Sequence, residues 1–151
     1  MAYRIVAVDD NPVVTQLIAA VLGQAGYDVE VLATGGETLV ALQRNPPDLL
    51  LLDLQMPGLD GLEVLRIVRE QKVCAGMPVL VLTAEDDSHY VGKARELGAA
   101  GYMLKPFRAQ DLSAKVRRIL VDADTVWLDD YHTVTRSSDD GWSRASGRAK
   151  S

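Results

Sequence analysis

Four short apolar runs of this chain end at residues that could handle a phosphoryl group and a divalent cation. These residues are Asp9 and Asp10, Asp53, Thr83, and Lys105 followed by Pro106. In an open parallel sheet the carboxyl ends of the strands share one edge, and ligands bind there, where strand order reverses. We therefore expect carboxylates, a hydroxyl and an ammonium group from distant parts of the sequence to meet at one site.

The carboxylates of this set favour a metal site. Asp9 and Asp10 are adjacent and repel each other unless a cation lies near them, and oxygen ligands suit a hard ion such as Mg²⁺. The alternative is a solvated acidic turn that helps to cap the following helix. Asp53 favours the metal site, because a carboxylate that ends a four-leucine run is costly to bury without a cation or hydrogen bonds.

Beside such a cation, Asp53 has the chemistry of a nucleophile that attacks phosphorus and becomes an acyl phosphate. Mg²⁺ would neutralise the phosphoryl oxygens, the Lys105 ammonium would pair with one of them, and the Thr83 hydroxyl would donate to another.

The segments that must position these residues predict an α/β fold. Strand-like and helix-like segments alternate five times from residue 4 to about 121. The runs Leu49–Leu52 and Val79–Leu82 are continuously apolar, which is typical of strands buried on both faces of a parallel sheet. We predict a flavodoxin-like, doubly wound, five-stranded parallel sheet of order 2-1-3-4-5 with five helices.

Helix starts can also be read from the sequence. Asn11 before Pro12 is typical of an N-cap, and Thr34 with Glu37 and Asp60 with Glu63 have capping spacing. Two further helices are expected over about 88–97 and from about residue 109.

Composition excludes several classes of protein. The chain has 151 residues, a net charge of −5 and a pI near 4.9, whereas nucleic-acid and anionic-membrane surfaces need a basic footprint. No apolar run approaches the roughly 20 residues that span a bilayer, and the first strand begins too early for a signal peptide. The lone Cys74 excludes an internal disulfide and a cysteine zinc cluster. We expect a cytoplasmic protein.

The predicted domain covers residues 1–121, and residues 122–151 form a polar tail or linker. This tail contains six Asp, four Arg or Lys and no Glu, with too few apolar residues for a core of its own. Val126–Asp129 and Val134–Arg136 read as two short strands around a turn. The tail is therefore either a short flexible extension or the start of an output domain that the chain does not contain.

Four segments resemble a known family in their order and spacing. They are Val8-Asp9-Asp10-Asn11, Leu52 through Gly61, Thr83-Ala84, and Lys105-Pro106-Phe107. With them, residues 4 to about 121 resemble the response-regulator receiver domain (CheY-like) of two-component signal transduction.

This resemblance implies a phosphorelay protein whose Asp53 accepts phosphate from a histidine kinase or a histidine phosphotransfer protein. It implies Mg²⁺ bound directly by Asp10, Asp53 and the backbone carbonyl of Gln55, with Asp9 acting through water. Such a phosphoprotein is a signalling domain that catalyses its own phosphorylation and dephosphorylation, rather than an enzyme acting on a separate substrate. Thr83 and Lys105 would hold the phosphoryl group.

The resemblance further implies a cis bond before Pro106 and a switch in which the Tyr102 rotamer follows Thr83. Gln55 and Glu85 would tune self-dephosphorylation. Output would pass through the face formed by the fourth helix, fifth strand and fifth helix, to a second copy or to an effector protein. Direct binding of this chain to nucleic acid or to a membrane is not expected.

Three alternatives remain at this point. A phosphohydrolase of the haloacid dehalogenase type would need an acid where Gln55 stands. A pseudo-receiver that acts only as a docking module would be expected to lack Asp53, Thr83 or Lys105. A flavodoxin-like cofactor binder would place its phosphate against the repelling Asp9-Asp10 pair.

Overall fold

The computed structural model describes residues 2–83, 88–122, 125–128, 132–135 and 143–146. The first five strands are β1 (Arg4–Val8), β2 (Asp28–Leu32), β3 (Leu49–Asp53), β4 (Val79–Thr83) and β5 (Gly101–Leu104). The helices are α1 (Pro12–Gln24), α2 (Gly35–Arg44), α3 (Gly61–Glu70), α4 (Ser88–Glu96) and α5 (Ala109–Val121). Three short strands follow: β6 (Thr125–Leu128), β7 (His132–Thr135) and β8 (Ser143–Ser146).

The predicted strand order is confirmed. Strands β1 to β5 are parallel and lie in the order β2-β1-β3-β4-β5. The leucines of β3 show that helices cover both faces of the sheet, because alternate side chains of a strand point to opposite faces. Leu50 and Leu52 pack in the core that contains residues of α2, α3 and α4, whereas Leu49 and Leu51 pack with α1 and α5. The continuous apolar run Leu49–Leu52 is therefore explained by the burial of β3 on both faces of the sheet.

The reversal of strand order lies at β1. From this strand the chain passes to β2 on one side and then to β3 on the other. Val8 of β1 pairs in register with Leu52 of β3, so the residues that follow, Asp9 and Asp53, lie next to each other at the carboxyl edge. This register places two carboxylates where a doubly wound sheet forms its ligand crevice.

The predicted N-caps are confirmed by their hydrogen bonds. The Asn11 side chain accepts from the Val13 amide at 2.9 Å, and the Thr34 hydroxyl accepts from the Glu37 amide at 3.1 Å. The Asp60 carboxylate caps α3 by accepting a bond from the third residue of the helix at 2.9 Å. Within the described part of the chain, no helix has the length and apolarity needed to cross a membrane.

The C-terminal segment extends the sheet. Strand β6 pairs with β5 in parallel, and β7 and β8 follow antiparallel, so the described sheet has eight strands. The two strands expected near 126–129 and 134–136 appear as β6 and β7, displaced by one or two residues toward the N-terminus. Strand β8 was not predicted, since Ser-Arg-Ala-Ser has no apolar pattern. Asp129, Arg136 and Trp142 lie outside the described residues.

Candidate functional site

The structure brings the predicted carboxylates together at the carboxyl edge of the sheet. Asp9 and Asp53 are each 1% exposed, whereas Asp10 lies at the surface. One carboxylate oxygen from each of these three residues lies within 4.8 Å of the other two. Two carboxylates of the cluster, Asp9 and Asp53, are therefore buried, and the third, Asp10, is accessible to solvent.

Lys105 reaches this cluster from the end of β5. Its Nζ lies 2.8 Å from Asp9 Oδ2 and 3.5 Å from Asp53 Oδ2. The peptide bond between Lys105 and Pro106 is cis. In this structure the ammonium thus bridges two buried carboxylates, whereas the sequence-based hypothesis pairs it with a phosphoryl oxygen.

Backbone amides hold the other oxygens of the two buried carboxylates. Asp9 Oδ1 accepts from the Asn11 amide at 2.9 Å, and Asp53 Oδ1 accepts from the Gln55 amide at 3.1 Å. Each carboxylate is therefore held by an amide on one oxygen and faces Lys105 with the other. Hydrogen bonds to ionised groups are stronger than neutral ones, so this arrangement fixes the orientation of both side chains.

The electrostatics of the site favour an additional cation. Burial raises the pKa of Asp53 from its ordinary 3.8 to about 6; the Gln55 amide and Lys105 oppose this rise, and the charge of Asp9 adds to it. For Lys105, burial acts to lower the pKa, but its hydrogen bonds and ion pairs with Asp9 and Asp53 outweigh burial and raise it. One ammonium therefore compensates the buried negative charge only in part.

The donor set fits a hard divalent ion. The three carboxylates each offer one oxygen, and these oxygens lie within 4.8 Å of one another, close enough for a single ion to contact all three. Mg²⁺ prefers oxygen ligands in proteins. Exposed Asp10 leaves an approach from solvent. The backbone of Gln55 also lies at this site, because its amide donates to Asp53.

The proposed switch residues lie on neighbouring strands beside the cluster. Thr83 ends β4, is 1% exposed, and pairs in register with Leu104 of β5. Tyr102 lies two residues earlier in β5, opposite Val81, and is 5% exposed. It packs in the core cluster that also contains Ala94 of α4. Glu85, the predicted tuning residue, lies outside the described residues.

One residue next to the site received no role from the sequence. The Gly61 amide donates to Leu54 O at 3.2 Å, and a Cβ at Gly61 would overlap the backbone carbonyl of Asp53. Glycine here lets the start of α3 approach the strand end that carries Asp53. The available signal was a glycine directly after the helix cap Asp60, a place where close backbone approach favours the smallest residue.

Comparison with a family model gives a match over most of the chain. Residues 5–117 match the family described as "Response regulator receiver domain".

Similar curated proteins include two transcriptional regulators. The chain is 39% identical over 117 residues to the DNA-binding response regulator MtrA of Mycolicibacterium smegmatis, covering 78% of this chain and 50% of that protein. It is 39% identical over 120 residues to the alkaline phosphatase synthesis transcriptional regulatory protein PhoP of Bacillus subtilis, covering 80% and 49% respectively. The chain spans about half the length of these relatives.

Two similar solved structures are matched over almost their whole length. Chemotaxis protein CheY4 of Vibrio cholerae has a TM-score of 0.75 and 32% identity, with 80% of this chain and all of that chain covered. A structure described as "BeF3 Activated DrrB Receiver Domain" has a TM-score of 0.71 and 30% identity, covering 80% and 98% respectively.

Proposed function

This chain belongs to the response regulator receiver domain family of two-component signalling, and we propose that Asp53 is its phospho-acceptor. The observation that carries the proposal is the position of Asp53: buried at the switch point of the sheet, fixed by the Gln55 amide, and facing both Lys105 and the acidic cluster. The phosphate donor is a histidine kinase or a histidine phosphotransfer protein.

In the proposed reaction, an oxygen of Asp53 attacks the phosphorus of a phosphohistidine. The new O–P bond forms as the P–N bond breaks, and the departing imidazole nitrogen keeps the electron pair. Lys105 lies 3.5 Å from the attacking carboxylate, so its ammonium can pair with an oxygen of the arriving group. The Thr83 hydroxyl donates to another phosphoryl oxygen.

The proposed cofactor is Mg²⁺, held by Asp10, Asp53 and the backbone carbonyl of Gln55, with Asp9 acting through water. When bound, the ion supplies positive charge that stabilises the phosphoryl oxygens. The excess of carboxylates over ammonium groups within the cluster supports this assignment.

Incubating the full chain with radiolabelled acetyl phosphate tests the function. We expect hydroxylamine-sensitive label in the presence of Mg²⁺ and none in EDTA, since an acyl phosphate is cleaved by that nucleophile. Equal labelling in EDTA would contradict the cation requirement. Absence of label under both conditions would favour a pseudo-receiver, and steady turnover of p-nitrophenyl phosphate would favour a phosphohydrolase.

Replacement of Asp10 tests the ligand assignment. Altering even an indirect metal partner typically weakens binding about 10- to 100-fold, so Asp10→Ala should weaken Mg²⁺ binding at least about tenfold. Calorimetric titration of Mg²⁺ measures the change. Asp28→Ala, which removes an exposed carboxylate from β2, is the control for net charge. Equal affinities for the two variants would remove Asp10 from the ligand set.

The lifetime of the phosphoryl group should depend on Gln55. Its side chain is exposed and follows the acceptor by two residues, so it can flank the path of attacking water. We expect Gln55→Ala to change the rate of label loss while the urea midpoint stays the same. Gln43→Ala, an exposed glutamine on α2, is the control. A decay rate identical to that of the wild type would contradict this role, which we also assign to Glu85.

Signalling is proposed to pass from Thr83 to the switch face, defined as the face formed by α4, β5 and α5. A phosphoryl group adds about two negative charges and draws in the Thr83 hydroxyl. Tyr102 packs in the core shared with α4 and lies on β5, the strand next to the one that Thr83 ends. We propose that a movement of Thr83 alters the packing of Tyr102. The altered face then favours a second copy or an effector.

Beryllofluoride with Mg²⁺ is the probe for this switch, and a similar structure is described as BeF3-activated. We expect it to increase self-association in sedimentation velocity and to shift NMR signals of Tyr102 and of residues in α4. Asp53→Asn is the control that should not respond. Shifts confined to the neighbourhood of Asp53 would refute the relay.

The output of the complete protein is also a proposal. Two relatives are named as a DNA-binding response regulator and a transcriptional regulatory protein, and this chain spans about half of each. We propose that residues 122–151 are a linker or the beginning of an output domain, and that any nucleic-acid contact belongs to that domain.

A further inference from the structure

The loop that follows Asp53 is closed at its base. Residues 54–60, here called the acceptor loop, connect β3 to α3. The Gly61 amide donates to Leu54 O at 3.2 Å, and a Cβ on Gly61 would overlap the Asp53 carbonyl, so the two ends of the loop lie against each other. A displacement of the middle of the loop must therefore be taken up within the loop, where Gln55 lies.

The acceptor loop packs against the first residue of α2. Gly35 is buried, and a Cβ built on it would lie 2.5 Å from Leu59 O and 2.8 Å from a methyl carbon of Val64. Both distances are shorter than van der Waals contact, so a methyl group here would force a neighbour to move. The Gly35 φ lies outside the left-handed region, so alanine suits the helix backbone itself. Glycine is needed at this position for the approach of the acceptor loop.

The start of α2 is fixed by several hydrogen bonds. The Thr34 hydroxyl accepts from the Glu37 amide at 3.1 Å, and the Thr38 hydroxyl donates to Thr34 O at 2.8 Å. Thr38 is 0% exposed. At the end of β2, just before this helix, Leu32 O accepts from the Asp9 amide at 3.1 Å. The beginning of α2 is thus tied both to its own first turn and to the residue that carries one of the buried carboxylates.

The acceptor loop is therefore the partner that would yield to a methyl group at Gly35. Its tip, residues 57–58, is exposed to solvent. A shift of Leu59 would change the course of the closed loop at Gln55, whose amide donates to Asp53 Oδ1 at 3.1 Å. The same residue supplies the backbone carbonyl that the proposed function assigns to Mg²⁺.

We propose that Gly35 is a positioning residue for the phospho-acceptor site: by leaving room for Leu59 it sets the course of the acceptor loop and holds Gln55 beside Asp53. This inference rests on the proposed function, because it deepens the account of the same site. It places one determinant of Mg²⁺ binding on α2, an element that carries none of the proposed ligands.

The test compares Gly35→Ala with Gly36→Ala in the full chain. Gly36 is the next residue of the same helix; it is exposed, and a Cβ on it meets nothing within 4 Å. Both variants gain the same helix propensity, so they differ in the contact with the acceptor loop. The NMR signal of the Gln55 amide in EDTA reports the course of the loop without metal or phosphoryl donor. Calorimetric titration reports the affinity for Mg²⁺.

We expect Gly35→Ala to shift the Gln55 amide signal and to weaken Mg²⁺ binding about tenfold, the lower end of the effect of altering an indirect metal partner. Gly36→Ala should match the wild type in both measurements. An unchanged Gln55 amide in folded Gly35→Ala would overturn the positioning role, and a shifted amide with unchanged Mg²⁺ affinity would overturn its link to the metal site.

A second pair of variants decides the matter if Gly35→Ala does not fold. Leu59 and Leu62 are both partly buried against the same core, but Leu59 lies in the acceptor loop opposite Gly35, whereas Leu62 lies in α3. Leu59→Ala should shift the Gln55 amide signal and weaken Mg²⁺ binding, and Leu62→Ala should do neither. Equal behaviour of these two variants would contradict the positioning of the loop through Leu59.

Failure of the proposed function gives a different result. If the wild type binds no Mg²⁺ and takes up no phosphate, the assignment of the site as a phospho-acceptor is overturned. The Gln55 amide signal in EDTA still decides whether Gly35 positions the acceptor loop, because that measurement requires neither the ion nor the phosphoryl donor.

Discussion

Asp53→Asn will take up no label from acetyl phosphate, although its fold and its Lys105 neighbour are retained. The amide has nearly the same volume as the carboxylate, so a site that is 1% exposed accommodates it. It lacks the anionic oxygen that attacks phosphorus, and loss of a nucleophile costs several orders of magnitude in rate. Labelling under Mg²⁺ followed by peptide mapping measures the effect.

The matched control for this result is Asp28→Asn, which changes the same charge on an exposed side chain of β2. It should label like the wild type. Label on another residue of Asp53→Asn, at a rate near that of the wild type, would mean that the site activates phosphate without Asp53 as acceptor. That outcome would contradict the central assignment.

The convergence of the site was predictable because it depends on patterns that are local in sequence. The leucine run of β3 is apolar at every position, which requires a sheet covered on both faces. Once β1 and β3 are adjacent parallel strands, Asp9 and Asp53 must share the carboxyl edge. The N-caps Asn11 and Thr34 depend on residues within one helical turn, so they too could be read directly.

Other features depend on distances that no local pattern encodes. Lys105 lies closer to Asp9 than to Asp53, and only the fold fixes which carboxylate it reaches. Gly61 carries no chemical group, so its approach to the Asp53 carbonyl is visible only in three dimensions. The docking of Leu128 against Gly101 likewise joins two segments whose sequences do not indicate each other.

Without Mg²⁺, Asp53→Asn should be more stable than the wild type at pH 7.5 and nearly equal to it at pH 4. The pKa of Asp53 rises from 3.8 to about 6 on folding, chiefly through burial, so the folded protein holds this proton more tightly than the unfolded chain. The contribution of Asp53 to the free energy of unfolding is therefore fully present below pH 3.8, and it is lost as the pH rises through about 6. A shift of about two units corresponds to at most about 3 kcal/mol.

Urea unfolding in EDTA at several pH values measures the stability gap between Asp53→Asn and the wild type. The gap should open between pH 4 and 7 in favour of the variant, because asparagine carries no charge to bury. Addition of Mg²⁺ should narrow it, since a cation that binds the folded wild type more tightly than the variant stabilises the wild type more. If Asp28→Asn shows the same difference in free energy of unfolding from the wild type, the cause is net charge. A difference that grows as the pH falls would contradict the raised pKa of Asp53.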